Sequence, residues 1–132
     1  MTKEDRELLC KDLCARLPYG VKVHIEYGDI PYGPATVRQI DVEHSRFIFN
    51  FPVPIENGKP YLRPMSSMTK EERNEATQFE IINLGPIGFN WGLLVSNSSE
   101  LVNWLNAHHF DYRGLIEKGL ALEAPEGMYK TE

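Results

Sequence analysis

The sequence predicts an α+β fold, made of an N-terminal helix, a small curled antiparallel sheet or partial barrel, and C-terminal helices. Two observations lead to this prediction. Apolar residues recur at helical spacing over residues 3–17 and again after residue 100, whereas they alternate in several segments between residues 21 and 62. The 132 residues are the usual length of one domain. We therefore expect a single domain over residues 1–132, in which residues 125–132 form a surface tail.

The first helix is predicted over residues 3–17. Thr2 is a suitable N-cap, and acidic residues in the first turn favour the positive end of the helix dipole. Pro18 disfavours helical backbone at the residue before it, and Gly20 completes the stop. The helix is amphipathic, with an apolar stripe formed by Leu9, Cys10, Leu13, Cys14 and Leu17.

A change to period-two alternation marks the first strands. Residues 21–27, VKVHIEY, alternate between apolar and polar side chains, which predicts a half-buried strand. The glycine- and proline-rich residues 28–34 that follow are predicted to form a loop. A second strand is predicted over residues 35–42, where Val37 and Ile40 are out of phase and indicate a bulge.

The next strand is predicted in RFIFNF, residues 46–51, whose phenylalanines alternate, and a short turn near residues 44–45 leads into it. Pro52 and Pro54 indicate an edge strand or an irregular link, because proline has no N–H for a sheet ladder. Asn-Gly at residues 57–58 is the dipeptide most favoured in two-residue β-turns, so we predict a hairpin there.

The stretch SSMTKEE at residues 66–72 supports two interpretations. Ser67 and Lys70 form the S-x-x-K pattern of penicillin-binding proteins and class A β-lactamases, in which lysine withdraws the serine proton. In the competing interpretation Thr69 is an N-cap and Glu72 completes a capping box for a helix that begins at Lys70. The capping box explains more of the residues, so we predict a helix start. A small hydrolase that uses Ser67 and Lys70 is an alternative.

The C-terminal third is predicted to contain further helices. The pattern between residues 79 and 95 fits short strands and ordered loops equally, because glycine and proline interrupt its apolar clusters. Residues 97–100, NSSE, are a credible cap for a helix that runs to about His108. Asp111 is predicted to cap a last short helix over residues 112–118.

Composition argues against several classes of protein. A net charge of −5 is unfavourable for a general nucleic-acid binder. No apolar run approaches the roughly 20 residues that span a bilayer, and the charged start MTKEDRELL lacks the apolar core of a signal peptide, so we expect a cytoplasmic protein without membrane contact. Cys10 and Cys14 lie four residues apart on one helix face, a poor geometry for a disulfide, and are expected to be buried free thiols.

No cofactor or metal site is predicted. His108, His109 and Asp111 form the most suggestive cluster, but adjacent helical residues point about 100° apart, so one histidine at most joins Asp111 at a single centre. No H-x-x-x-H or C-x-x-C pattern supplements it. We expect one histidine to pack on Trp104 and the other to face water.

The segment YLRPM at residues 61–65 is the best candidate for a protein-binding surface. It combines an arginine with tyrosine and methionine, residue types enriched at interface hot spots, beside prolines that block regular strand pairing. A second group of similar composition occurs near residue 110. The candidate partner-binding residues are Tyr61, Arg63, Met65, His109, Tyr112 and Arg113.

Two resemblances bear on function. Residues 8–51, a helix followed by V-x-V-x-I and G-x-x-T-V-x-x-I-D, loosely resemble the first half of an Sm-like or SH3-like small barrel. That resemblance implies a nucleic-acid-binding alternative, although the R-G pair typical of the second Sm-like motif is not found, since Pro64 follows Arg63. Fold resemblance alone leaves the function open.

Three further segments, LCARLPYGVKV, KPYLRPMSSMT and WLNAHHFDYRGLIEKGLALEAP, resemble a family of uncharacterised small proteins common in gut Bacteroides-type bacteria and their phage-like elements. The resemblance spans nearly the whole chain and implies a phage-associated or mobile-element setting, with no catalytic residues to carry over. We therefore expect a non-enzymatic accessory or interaction module that binds a protein partner.

Overall fold

The computed structural model describes residues 1–27, 30–49, 52–83 and 99–129, and within them it confirms the α+β class. The helices are α1 (Lys3–Arg16), α2 (Lys70–Asn83) and α3 (Ser99–Ala107). The strands are β1 (Lys22–Tyr27), β2 (Ile30–Thr36), β3 (Ile40–Asp41), β4 (Arg46–Ile48), β5 (Pro52–Pro54), β6 (Gly58–Leu62) and β7 (Leu122–Glu123). They form two sheets, ordered β2-β1-β6-β7 and β3-β4-β5, and neither described sheet closes into a barrel.

Helix α1 begins and ends as the sequence predicts, to within one residue. The Thr2 hydroxyl accepts the N–H of Asp5 at 3.0 Å, and the Asp5 carboxylate accepts the N–H of Thr2, which completes a capping box. Cys10 is buried, Cys14 is half-buried, and both are free thiols. The helix also buries Asp12 and Arg16, which its apolar stripe does not predict.

The predicted alternation of β1 is confirmed, but the predicted loop at residues 28–34 is wrong over its described part, because β2 occupies residues 30–36. Residues 28–29 lie outside the described residues. β2 is the outer strand beside β1, where a proline can lie without breaking an inner ladder. Gly33 sits so close to β1 that a Cβ there would lie 2.6 Å from the carbonyl oxygen of Val23.

The single strand predicted over residues 35–42 is divided between the two sheets. β2 ends at Thr36, and Ile40 begins β3, which pairs with β4 across the predicted turn. β5 is an outer strand of this second sheet, which confirms that its prolines lie at an edge. Phe47 of β4 is fully buried, whereas Phe51 lies outside the described residues.

The hairpin predicted at residues 57–58 is wrong. Residues 55–57 form a 3₁₀ turn, and Gly58 is the first residue of β6, which pairs with β1 in the other sheet. Gly58 has an extended backbone with φ −127°, so this glycine is not used for a left-handed turn. A Cβ at Gly58 would overlap the ring of Phe47 and lie 2.9 Å from Ile25 Cδ1. Glycine is therefore required for close packing between the two sheets.

The helix start at Lys70 is confirmed, and α2 continues to Asn83, so the first residues of the ambiguous segment 79–95 are helical. The remainder of that segment and the predicted capping residues 97–98 lie outside the described residues. The last helix predicted over residues 112–118 is wrong, because the chain forms successive turns there. Gly114 adopts φ +74°, which interrupts a right-handed helix, although the Asp111 carboxylate does accept two N–H groups as a cap would.

Among the described residues, two clusters of buried apolar side chains form the core. The larger one packs α1 against the sheets and includes Leu9, Leu13, Val23, Ile25, Phe47, Ile55 and Leu62. The smaller one joins α2 to α3 and consists of Ala76, Leu101, Leu105 and Phe110. Phe110 lies three residues beyond the end of α3 and forms a parallel β-bridge with Arg63, which directly follows β6. The end of β6 therefore lies where the two clusters meet.

The C-terminal segment is attached to the first sheet. β7 pairs with β6 in parallel, with Tyr61 opposite Leu122. Residues 125–127 are exposed, as expected for a surface segment, but the side chain of Tyr129 returns to the sheet.

Candidate partner-binding cleft

An open cleft of about 710 Å³ lies between the connection from β6 to α2 and the C-terminal segment. One wall is formed by residues 63–72 and the other by residues 123–129. Its volume is within the usual range of ligand-binding clefts. The cleft therefore brings together two parts of the chain that are separated by more than fifty residues.

Arg63 is the central residue of the first wall. Its guanidinium donates to both carboxylate oxygens of Glu72 at 2.7 Å and lies 4.1 Å from the centroid of the Phe110 ring. These hydrogen bonds from Arg63 hold the pKa of Glu72 well below its usual value, at about 2. Arg63 also exchanges backbone hydrogen bonds with His109 and Asp111, at 2.7 and 2.8 Å. Hydrogen bonds therefore hold both the side chain and the backbone of Arg63 in place.

Glu72 connects the first wall to helix α2. Its carboxylate accepts the N–H of Thr69 at 2.9 Å, and the Thr69 hydroxyl accepts the N–H of Glu72 at 3.1 Å. The predicted capping box is therefore confirmed, and the same carboxylate binds Arg63. A cap that also forms an ion pair holds the helix start rigidly against the end of β6.

The S-x-x-K pattern is not arranged as a nucleophile and its base. Ser67 lies in a 3₁₀ turn that precedes the helix cap, and its hydroxyl donates to the carbonyl oxygen of Pro64 at 2.7 Å. Among the described residues, no hydrogen bond joins Ser67 to Lys70. Proton withdrawal needs a base within hydrogen-bonding reach of the serine, and this geometry gives the hydrolase alternative no support.

Tyr129 anchors the second wall. Its hydroxyl donates to the carbonyl oxygen of Tyr61 at 2.7 Å and accepts the N–H of Lys22 at 2.8 Å. Burial raises the pKa of this hydroxyl to about 12. The ring stacks on the imidazole of His109, with 3.7 Å between centroids and 15° between planes. Tyr129 therefore joins the C-terminal segment to β1, β6 and the end of α3.

His109 occupies a position that glycine usually fills. It follows the last turn of α3 and has a left-handed backbone, with φ +62°. Its N–H donates to the carbonyl oxygen of Asn106, and the N–H of Phe110 donates to the carbonyl oxygen of Leu105, which is the Schellman pattern of a helix C-terminus. A left-handed backbone at a residue other than glycine costs on the order of 1 kcal/mol. The stack on Tyr129 offsets part of this cost.

Burial is the main cause that lowers the pKa of His109 to about 4, and the positive charge of Arg16 is the second cause. The side chain is 6% exposed, so the expectation that the second histidine faces water is wrong. His108 is the histidine that packs on Trp104, at 4.2 Å between centroids, as expected for one of the pair.

Strand β7 is paired on one side, to β6. Leu62 lies opposite Glu123 in parallel register, and the N–H of Ala124 donates to the carbonyl oxygen of Leu62 at 2.8 Å. Alternate residues of a parallel strand bond to the same neighbour, so the N–H and C=O of Glu123 point away from β6. No described strand pairs with this outer side of β7.

Among the described residues, the charged side chains that line the cleft are three glutamates and one arginine. Arg63 and Glu72 neutralise each other. Glu123 and Glu126 are exposed, and neither forms an ion pair within the described ranges. In the described part of the chain, these two carboxylates therefore have no ion-pair partner.

The six predicted partner-binding residues do not form one surface. Arg63 lines the cleft. Tyr61 and His109 are not among its lining residues, but both contact Tyr129, which is: the Tyr61 carbonyl oxygen accepts a hydrogen bond from its hydroxyl, and the His109 ring stacks on its ring. Met65 packs against the smaller core cluster.

The remaining two predicted residues belong to a separate polar network. Arg113 donates to the buried carboxylate of Asp12 at 3.0 Å and to the hydroxyl of Tyr112 at 2.9 Å. The same carboxylate binds the fully buried Arg16 at 2.8 Å. Tyr112 and Arg113 are therefore engaged in holding α1 against the turns that follow α3.

Sequence reasoning missed Glu126 and Tyr129, because residues 125–132 read as a tail, and it missed Glu123 because no strand was predicted at residues 122–123. The one available signal is Tyr129 itself, a large aromatic side chain that benefits from burial.

No group of three or more potential metal-ligating side chains is gathered in the described part of the chain. The Asp111 carboxylate accepts the N–H groups of Leu115 and Ile116, and His108 Nδ1 bonds to the carbonyl oxygen of Trp104. None of the described helices is both long and apolar enough to cross a bilayer.

Comparisons with known proteins return no match: no family model fits the chain, and no curated protein or solved structure is significantly similar to it.

Proposed function

We propose that the protein is a non-enzymatic interaction module that binds an extended segment of a partner protein in the cleft. The observation that carries this proposal is the cleft itself, whose two walls are held by the Arg63–Glu72 ion pair and by the contacts of Tyr129. Grooves on a folded domain are a common binding site for extended segments of partner proteins. The family resemblance of the sequence suggests that the module is an accessory protein of a phage or mobile element.

The rigidity of both walls supports this function. The Arg63–Glu72 pair fixes the first wall, and the hydrogen bonds and ring stack of Tyr129 fix the second. A preformed cleft loses little conformational entropy when a partner binds, so more of the contact energy contributes to affinity.

The two alternatives receive less support. An acidic cleft on a chain of net charge −5 is a poor surface for phosphate backbones, which disfavours the Sm-like nucleic-acid-binding alternative. The hydrolase alternative requires Ser67 to lose its proton to Lys70, yet the Ser67 hydroxyl donates to Pro64.

Position-specific photocross-linking in cells that naturally express the protein tests the proposal. A benzophenone amino acid replaces exposed Glu126 in the cleft, and a matched variant carries it at exposed Glu117, which does not line the cleft. We expect one discrete protein adduct from position 126 and none from position 117. The adducted peptide of the partner is then identified by mass spectrometry.

Equal cross-linking from both positions would contradict the assignment of the cleft. So would the recovery of nucleic acid, rather than protein, from position 126 alone.

A further inference from the structure

We propose that the C-terminal segment, residues 125–129, is a latch that is closed by Tyr129 and opens when His109 takes up a proton. Residues 125–127 and Tyr129 line the cleft, so opening of the latch removes most of the second wall. This inference goes beyond the proposed function, because it concerns the free protein and does not require a partner in the cleft.

The latch is attached to the rest of the protein mainly through Tyr129. The N–H of Met128 donates to the carbonyl oxygen of Pro125 at 3.1 Å, which closes a β-turn with Gly127 at φ +85°. This turn directs the chain back toward the sheet without binding to another element. Within residues 125–129, the hydrogen bonds that the structure describes to other elements are those of the Tyr129 hydroxyl. The segment is therefore free to separate from the sheet once Tyr129 is released.

The Tyr129 hydroxyl lies where the pairing of β1 with β6 ends. Val23 and Pro60 are the last residues paired in this ladder, and Lys22 and Tyr61 are the next residues outward. The hydroxyl accepts the N–H of Lys22 at 2.8 Å and donates to the carbonyl oxygen of Tyr61 at 2.7 Å. It therefore bridges the two strands beyond their last pair. The Lys22 N–H loses this partner when the latch opens, so it reports the state of the latch.

The surroundings of His109 do not suit a protonated ring while the latch is closed. The residue is 6% exposed, its ring stacks on Tyr129 with 3.7 Å between centroids, and its Nδ1 is buried without a hydrogen-bond partner among the described residues. A charge placed there is cut off from water. The neighbouring groups that act on the ring are all basic, and they come from α1, β1, the end of β6 and the end of α3: Arg16, Lys22, Arg63 and His108.

The carboxylates on the surrounding elements do not offset a charge on this ring. Three of them are bound to other donors: Asp12, Glu72 and Asp111. The two on the C-terminal side, Glu123 and Glu126, are exposed to water. Burial and the basic groups therefore keep His109 neutral in the closed latch, with a pKa of about 4.

Opening of the latch exposes the ring to water and returns its pKa toward the ordinary value of 6.5. Between these two pKa values the open form binds a proton that the closed form does not, so acidification favours opening. From pH 7 to pH 5 the linkage relation raises the ratio of open to closed latch about twentyfold. Tyr129 itself does not titrate in this interval, because burial raises its pKa to about 12.

Hydrogen exchange of the Lys22 amide tests the inference, measured by NMR on the full-length protein at pH 7 and pH 5 without any partner. Dividing the intrinsic exchange rate at each pH by the measured rate gives a protection factor. We expect the protection factor of Lys22 to fall about twentyfold from pH 7 to pH 5 in the wild type. In His109→Asn, where asparagine accepts the left-handed backbone and does not titrate, we expect no such fall.

The amide of Leu13 is the internal control for unfolding of the whole protein. Leu13 lies within α1 and is fully buried, so its amide exchanges when the core opens. We expect it to be protected at least about tenfold more strongly than the Lys22 amide at both pH values.

Three results would overturn the inference. Equal protection of Lys22 and Leu13 would show that the segment separates only when the whole protein unfolds. A protection factor of Lys22 that does not change with pH in the wild type would show that acid does not open the latch. An equal fall in His109→Asn would show that another group is responsible. Because no partner is present, the cross-linking from position 126 judges the proposed function separately.

Discussion

Acidification from pH 7 to pH 5 should destabilise the protein through His109. The folded state holds the pKa of this histidine at about 4, because the ring is buried under Tyr129 and close to Arg16. Other positive or titratable groups near it are His108, Arg63 and Lys22, and all of them lower its pKa. Between its unfolded and folded pKa values, the unfolded chain binds a proton that the folded protein does not.

The magnitude follows from the two pKa values. The unperturbed pKa is 6.5 and the folded value is about 4. The contribution of His109 to stability is complete above pH 6.5 and is lost as the pH falls toward the folded pKa. At pH 5 the linkage relation gives a loss of about 2 kcal/mol in the free energy of unfolding, relative to pH 7. Carboxylates with depressed pKa values, such as Glu72, contribute little in this interval, because they titrate at lower pH.

Urea unfolding followed by far-ultraviolet circular dichroism at pH 7 and pH 5 measures this loss. The variant His109→Asn is the matched control, since asparagine accepts a left-handed backbone and does not titrate. We expect the wild type to lose about 2 kcal/mol more than the variant over this interval. An equal loss in both proteins would refute the assignment of the acid sensitivity to His109.

Three further substitutions test the packing around the site, each by the thermal or urea unfolding midpoint. Arg63→Lys should cost about 1–2 kcal/mol, because an ammonium cannot replace the double hydrogen bond to Glu72; an unchanged midpoint would show that the pair contributes little. Gly58→Ala should cost about 1–3 kcal/mol, since its methyl group overlaps the buried Phe47 ring, and a stabilised variant would contradict that packing. Thr69→Ala should lower the free energy of unfolding by about 1 kcal/mol, because the helix cap is lost. Thr69→Ser keeps the capping hydroxyl and should therefore keep most of the wild-type stability.

The elements that were predicted correctly are those whose structure depends on residues close to one another in the sequence. The capping box at Thr69 and Glu72 and the alternation of β1 depend on residues within a few positions of one another. Such features form wherever the local sequence favours them, so they could be identified without knowledge of the fold.

Features that depend on distant residues could not be predicted. Asn57-Gly58 has the composition of a hairpin, yet Gly58 is needed because Phe47 packs against its backbone. The segment after residue 124 looks like a tail, yet Tyr129 binds the backbone of β1 and β6 from more than sixty residues away. The cleft is built by these long-range contacts, and for this reason only Arg63 among the six predicted residues lines it.

The most direct test of the central claim is hydrogen exchange at the amides of the two cleft walls, residues 63–72 and 123–129, in the free protein and bound to the partner segment identified by cross-linking. Binding in the cleft predicts that exchange slows at exposed amides of both walls, because the partner shields them from water. It also predicts that exchange in β2, which does not line the cleft, stays unchanged. Unchanged exchange in both walls of a fully bound sample would contradict the claim that partners bind in the cleft.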